Sequence, residues 1–146
     1  MTNVETNVET SSYEPQIVAF LCNWCSYSAA DAAGSSRKTH PANVKIIRVM
    51  CCGRIDPQLV LKAFAEGADG VMVLGCHLGD CHYREGNYKA LRRTALLGRM
   101  LPQLGIDRRR LVTDWVSAGE ADKFVSVTTQ AVADLRLLGP LWGAGK

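Results

Sequence analysis

Cysteine is the residue type in this 146-residue sequence whose spacing points most clearly to chemistry. The chain has six cysteines, and all of them fall in three short groups. The groups read CNWC at residues 22–25, CCG at residues 51–53 and CHLGDCH at residues 76–82. Thiolates are ligands for zinc and for iron–sulfur clusters, so a metal centre is the chemistry that these groups indicate.

Each cysteine group closely follows an apolar run that predicts a buried β-strand. The three runs are Ile17 to Leu21, Val44 to Val49 and Val71 to Leu74. In an open parallel sheet, the carboxyl ends of the strands lie at one edge, where ligands bind. We therefore expect a single site that gathers sulfur from all three loops.

The remaining segments alternate between helix and strand around these three runs. Helices are expected to start at Ser26, Asp56, Asn87 and Ser117, and a fourth strand covers Leu111 to Val116. Four β-α units predict an α/β fold, a single domain with a four-stranded parallel sheet flanked by helices. With the strand order 2-1-3-4, the Cys loops at the carboxyl ends of the strands meet around the first strand.

Two helices carry more specific expectations. Ser117 and Glu120 have the spacing of a capping box at the start of the last helix. The third helix is expected to run from Asn87 to Leu104 and to present a leucine-rich face to the core. The side chains expected to point inward from it are Leu91, Ala95, Leu97, Leu101 and Leu104.

Composition and length limit the class of protein. The chain is long enough for one domain, expected over residues 17–140, between a disordered leader at 1–16 and a short tail at 141–146. The formal net charge of +3 is too small to indicate nucleic acid as a partner. No secretory signal and no run of about 18 apolar residues for a membrane span is present, so we expect a cytoplasmic protein.

The cysteine pattern alone leaves several types of site open. Iron–sulfur clusters usually take four Cys ligands, and both spacings seen here occur in ferredoxin ligand runs. Structural zinc would use the single Cys-x-x-Cys knuckle, but a second knuckle is missing. A dithiol at Cys22 and Cys25 would leave four neighbouring thiols unexplained. Cysteines that merely fill the core are common singly, but six at strand ends are not expected.

Other side chains near the cysteines have candidate roles. His77 and His82 follow Cys76 and Cys81 directly, and a Rieske-type centre would use two imidazoles on one iron. Because enough cysteines are present, we expect these rings to bond the loop backbone or to face a partner. Arg54, together with Tyr83, Arg84 and Tyr88, is expected at helix ends and at the surface; contact with a partner is the alternative.

The sequence around these residues closely resembles a known family, the iron–sulfur delta subunit of methyl-viologen-reducing (F420-non-reducing) hydrogenase. The similarity extends from about Ile17 to Pro140 and depends on several motifs together. The motifs are FLCNWCSY at 20–27, IRVMCCGR at 47–54, GADG at 67–70, GCHLGDCHY at 75–83 and GNY at 86–88, with two arginines at 92–93.

The resemblance implies a role in electron transfer. Such a domain carries a [2Fe–2S] cluster and turns over no substrate itself. It relays electrons from a hydrogenase or formate dehydrogenase-type module to the flavin of a heterodisulfide reductase A-like flavoprotein, where bifurcation occurs. The alternative function is a zinc-stabilised adaptor without a redox role.

The family pattern carries over five cysteines for four ligand positions. They are Cys22, Cys25, Cys51, Cys76 and Cys81. One thiol is left over, Cys22 and Cys51 are the candidates for it, and the spacing does not decide which four are ligands. At Cys52 the family more often has Ser or Thr, which makes this thiol the least suited to be a ligand, although as an adjacent cysteine it could substitute for one. Leu78 stands where the family often has Pro, a change in the loop that touches no ligand.

Overall fold

A computed structural model describes residues 13–142 as a four-stranded parallel sheet with helices on both faces. The strand order is β2-β1-β3-β4, which confirms the expected fold and order. Of the expected leader at 1–16, residues 1–12 lie outside the described residues, and so do residues 143–146 of the expected tail at 141–146. The elements in chain order are β1 (Ile17–Cys22), α1 (Ser26–Ser35), β2 (Val44–Val49), α2 (Pro57–Ala65), β3 (Gly70–Gly75), α3 (Gly86–Met100), β4 (Leu111–Trp115) and α4 (Ala121–Leu138).

The two central strands form the core of the sheet. Every residue of β3 is buried, and β1 has one half-buried position, at Val18. This agrees with their continuous apolar sequences, because a parallel sheet covered on both faces has no solvent side. The edge strands β2 and β4 are more exposed and carry charged residues such as Lys45 and Asp114.

Helices cover the two faces of the sheet in pairs. On one face, Leu21 packs with residues of α1 and α4, including Ala29 and Phe124. On the other face, Phe20 packs with residues of α2 and α3, including Phe64 and Leu97. Successive β1 side chains thus enter different cores, as the two-residue period of a strand requires.

The start of α2 is capped as expected, but the start of α4 is not. The Asp56 carboxylate accepts a hydrogen bond of 2.8 Å from the Gln58 N–H, and Pro57 is the first helical residue. At α4, the Glu120 carboxylate accepts from the Ser117 N–H, while the Glu120 N–H donates to the Ser117 carbonyl. These bonds close a turn, so α4 starts only at Ala121.

The buried face of α3 differs from the expectation. The helix ends at Met100 and continues as a 3₁₀ turn over Leu101–Leu104. Its buried positions include Asn87, Ala90, Leu97 and Gly98, whereas the expected inward residues Leu91, Ala95 and Leu104 are exposed. Of the five expected residues, Leu97 and Leu101 are buried. Small and polar residues form the rest of the buried stripe because α3 approaches its neighbours closely.

The two leucines of the 3₁₀ turn test this assignment. Leu101 is fully buried and Leu104 is 58% exposed, although both were expected to point inward. Leu101→Ala should lower the free energy of unfolding by about 2–5 kcal/mol, because it leaves a cavity in the core. Leu104→Ala should change it by no more than about 0.5 kcal/mol. Urea denaturation followed by circular dichroism measures both values, and equal losses would contradict the observed burial.

Candidate metal centre

The first cysteine loop is fixed to the end of β3 by one buried hydroxyl. Ser26, the first residue of α1, donates from Oγ to the Leu74 carbonyl at 2.7 Å. Its Oγ also accepts from the Cys22 N–H at 2.8 Å. The bonds set the position of Cys22 at the end of β1 against the neighbouring strand. From the sequence, Ser26 was expected only to start a helix.

Three cysteines from two loops form a compact triad. The Sγ atoms of Cys22, Cys25 and Cys76 all lie within 4.8 Å of one another. The Cys22 and Cys76 sulfurs are 3.8 Å apart. All three side chains are buried, and none of the three forms a disulfide bond. The triad joins the carboxyl ends of β1 and β3, as the sequence predicts.

A second group of sulfur atoms adjoins the triad. The Sγ atoms of Cys51 and Cys81 lie 3.8 Å apart. The Cys51 sulfur also accepts a hydrogen bond of 3.4 Å from the Gly53 N–H. The Cys22 sulfur lies 3.8 Å from the carbonyl oxygen of Met50, which links the triad to the Cys51 loop. All five sequence-predicted cysteines are therefore at the same edge of the sheet.

Cys52 is separated from the other five cysteines. Cys51 has an extended backbone, so the next side chain points to the opposite side. The Cys52 side chain is fully buried in the core between the sheet, α2 and α3. A methyl group at Gly75 would lie 2.6 Å from its sulfur. Burial raises the pKa of the Cys52 thiol, which favours the neutral form.

The first turn of α3 comes close to the Cys51 and Cys81 sulfurs. A Cβ atom at Gly86 would lie 2.1 Å from the Cys51 sulfur and 3.2 Å from the Cys81 sulfur. A Cβ atom at Gly53 would lie 2.7 Å from the Gly86 Cα. Both positions require glycine because the backbone of α3 and that of the Cys51 loop are in contact.

Two side chains of α3 hold the cysteine loops by their backbone carbonyls. Asn87 is fully buried, and its Nδ2 donates to the carbonyls of Cys76 and His77 at 3.0 and 2.8 Å. The Arg93 guanidinium donates to the carbonyls of Gly53 and, at 3.4 Å, Ile55. Neither role was predicted from the sequence. The signals there were the pair Gly86-Asn87 next to the longest loop and the two arginines at 92–93.

The electrostatics of the triad favour a bound cation. Hydrogen bonds from the Cys25 and Cys76 thiols lower the pKa of Cys22 to about 3. The interaction with Cys22 raises the pKa of Cys25, and it raises the pKa of Cys76 to about 12. The shifts are opposite because ionising a second thiol of the triad would place like charges side by side. A metal ion removes that obstacle, since a coordinating thiol is deprotonated outright.

An aromatic group lies at the surface over the first and third loops. The Trp24 indole stacks on the His82 ring, with centroids 3.9 Å apart, and donates from Nε1 to the Tyr83 hydroxyl at 3.1 Å. His77 instead pairs with the Glu120 carboxylate. The Ser117 N–H and His77 lower the pKa of Glu120 to about 2. The His82 ring thus contacts the Trp24 side chain, and the His77 ring contacts the Glu120 side chain.

A family model described as methyl-viologen-reducing hydrogenase, delta subunit, matches residues 17–139. The chain belongs to this family. The finding confirms the family that the cysteine motifs resemble.

Relatives of this delta-subunit family member occur both as separate proteins and within a longer chain. This chain is 53% identical over 131 residues to an F420-non-reducing hydrogenase iron-sulfur subunit of Archaeoglobus profundus. The match covers 90% of this chain and 96% of the relative. The vhu iron-sulfur subunit of the F420-non-reducing hydrogenase of Methanocaldococcus jannaschii is 45% identical over 87% of this chain and 95% of the relative. A match at 46% identity covers 87% of this chain but only 16% of a ferredoxin:CoB-CoM heterodisulfide reductase subunit of Methanosarcina mazei.

Among residues 13–142, no helix of the chain is both long enough and apolar enough to cross a membrane.

The contact between α3 and the thiols gives a test with a matched control. Gly86→Ala places a methyl group where the Cys51 sulfur lies, so it should lower the metal content of anaerobically purified protein at least about tenfold. Gly34→Ala, in α1, meets no atom within 4 Å and should leave the metal content unchanged. Mass-spectrometric metal analysis of both variants measures this. Full metal content in Gly86→Ala would show that the Cys51 and Cys81 sulfurs do not bind the metal.

Proposed function

We propose that this chain is an electron-transfer subunit that carries one [2Fe–2S] cluster at the carboxyl edge of its sheet. The observation that carries the proposal is the convergence of five thiols from three separate strand ends. Three of their sulfur atoms lie within 4.8 Å of one another, and the other two are 3.8 Å apart. The description as an iron-sulfur subunit, which the names of relatives carry, supports the same type of centre.

The donor set suits such a cluster. A [2Fe–2S] centre takes four thiolates, and Cys25, Cys76 and Cys81 are the proposed constant ligands. Either Cys22 or Cys51 supplies the fourth. When bound, the cluster accepts and releases single electrons. The chain's own part is to hold the thiolates in place, to exclude water from them by burial, and to donate the Gly53 N–H toward sulfur. Such hydrogen bonds tune reduction potential.

Zinc is less well supported than iron–sulfur by this donor set. A structural zinc site is closed by four ligands around one ion. The five thiols instead divide into a triad and a pair, and the hydrophobic cores on both faces of the sheet do not depend on the site. A zinc-stabilised adaptor is therefore the alternative that the experiment below has to distinguish.

The proposed partners follow from the names of the relatives. Similar chains are named as iron-sulfur subunits of F420-non-reducing hydrogenase, and a similar segment forms part of a heterodisulfide reductase subunit. We infer that the domain, over residues 17–140, passes electrons from a hydrogenase or formate dehydrogenase-type module to the flavin of a heterodisulfide reductase A-like, bifurcating complex in the cytoplasm. It acts as a relay and converts no substrate.

Anaerobic purification tests the cluster directly. Iron and sulfide analysis should give about two of each per chain, and dithionite reduction should produce an electron paramagnetic resonance signal of a one-electron-reduced centre. Zinc without iron, in a colourless protein that dithionite does not reduce, would contradict the relay and support the adaptor.

Serine substitutions test the ligand set. Cys25→Ser and Cys81→Ser should abolish cluster binding, because each removes a thiolate from the group at the sheet edge. Cys52→Ser should retain the iron while lowering the free energy of unfolding by about 1–3 kcal/mol, since it buries a hydroxyl in an apolar core. Iron analysis and urea denaturation separate the two effects.

The same series identifies the spare thiol. Of Cys22→Ser and Cys51→Ser, one should lose the cluster and the other should keep it. A folded Cys52→Ser protein without iron would refute the exclusion of Cys52 from the ligand set.

A further inference from the structure

A surface cavity of about 510 Å³ opens next to the Cys51 end of the candidate metal centre. It lies between the Cys51 loop, the turn after Cys81 and the first turns of α3. The residues that define its character are Met50, Cys51, Arg54, Tyr83, Arg84 and Lys89. We call it the basic cavity. The cluster site described above does not use its charged side chains.

Positive charge dominates the basic cavity and is not neutralised within the described structure. Arg54, Arg84 and Lys89 face a single carboxylate, Glu85, among the lining residues. In residues 13–142, no salt bridge within 4 Å forms to any of these three cations. Elsewhere on the surface, cations such as Arg136 pair with carboxylates. Cations held around a concave surface raise the local concentration of anions.

One of these cations is held by an unusual backbone conformation. Arg84 has φ of 72°, in the left-handed region that non-glycine residues rarely adopt. Its N–H donates to the Cys81 carbonyl at 2.9 Å, so the turn that contains Cys81 also positions Arg84. Backbone strain of this kind clusters at functional sites. The backbone conformation of Arg84 therefore fixes this cation next to the loop that contains Cys81.

The apolar part of the cavity indicates a protein as the ligand. Met50 and Tyr83 line it and are 51% and 49% exposed. Exposed aromatic side chains, methionine and arginine together are the composition that distinguishes protein interfaces from other surfaces. A site for a free phosphate would need cations and N–H groups but no exposed thioether and phenol ring.

We propose that the basic cavity docks an acidic loop of the redox partner, with a carboxylate between Arg54, Arg84 and Lys89 and an apolar side chain against Met50 and Tyr83. The proposal rests on the relay function, because it gives a reason for a partner to bind beside Cys51. It names the surface and the partner's charge, which the family assignment does not provide.

Zero-length crosslinking of the native complex tests the docking. The complex is isolated anaerobically from the host by an affinity tag on this chain. It is then treated with carbodiimide, which joins Lys Nζ to a carboxylate in contact with it. Mass spectrometry should identify Lys89 joined to an Asp or Glu of a flavoprotein or hydrogenase subunit. Lys62, exposed on α2, is the matched control and should give no such product. Links from Lys89 only to Glu85 of the same chain would overturn the proposal.

Charge reversal provides a second, quantitative readout. Without crosslinking, the double variant Arg54→Glu, Lys89→Glu should lower recovery of the co-purified partner about tenfold, and more at low than at high salt. The control Lys62→Glu, Arg99→Glu changes the net charge equally on residues outside the cavity and should keep full recovery. Equal recovery from both variants would overturn the proposal.

Two further outcomes separate this inference from the relay function. If the chain contains iron but gives no Lys89 crosslink, the docking proposal is refuted and the relay proposal stands. If the chain contains zinc in place of iron and the crosslink forms, the relay proposal is refuted and the docking proposal stands. Binding of inorganic phosphate can be measured by calorimetric titration. If phosphate binds, Arg54→Glu abolishes that binding and no Lys89 crosslink forms, the cavity is a small-anion site and docking is refuted.

Discussion

The site depends above all on the register of three parallel strands. Leu21 of β1 pairs with Leu74 of β3, and Cys22 pairs with Val49 of β2, so the three strands end at the same level. The loops that follow therefore start side by side. Slipping one strand by a single residue would move its loop by about 3.3 Å and turn its side chains to the opposite face. The apolar cores on both faces oppose such a slip, so the same packing stabilises the sheet and positions the thiols.

Helix α3 adds a second constraint that is independent of any bound metal. Asn87 and Arg93 bind carbonyls of two different cysteine loops, and Gly86 allows the helix backbone to approach the sulfurs. These contacts use backbone groups of the loops and leave the thiols free. The loops are thus held by a rigid element before a metal is bound, which is the arrangement that gives a site its accuracy.

Local sequence patterns were sufficient for the strands, their order and the meeting of five thiols at one edge, because each depends on apolar runs and on the rules of parallel sheets. The face of α3 was not predictable in this way, since Asn87 is buried by a contact with the distant Cys76 loop. Leucine periodicity pointed elsewhere. Spacing also does not tell Cys51 from Cys52, because adjacent residues differ only in the direction of their side chains. The local backbone decides it, and the sequence carries no direct record of that backbone.

Two separate cavities reach the sulfur atoms. A cavity of about 280 Å³ beside the stacked rings of Trp24 and His82 is lined by Cys25 and Cys76 of the triad, and the basic cavity is lined by Cys51. Small solutes such as dioxygen and chelators therefore have a route to each group of sulfurs. A partner seated in the basic cavity would close only one of these routes, so binding of that partner alone would not shield the triad from air.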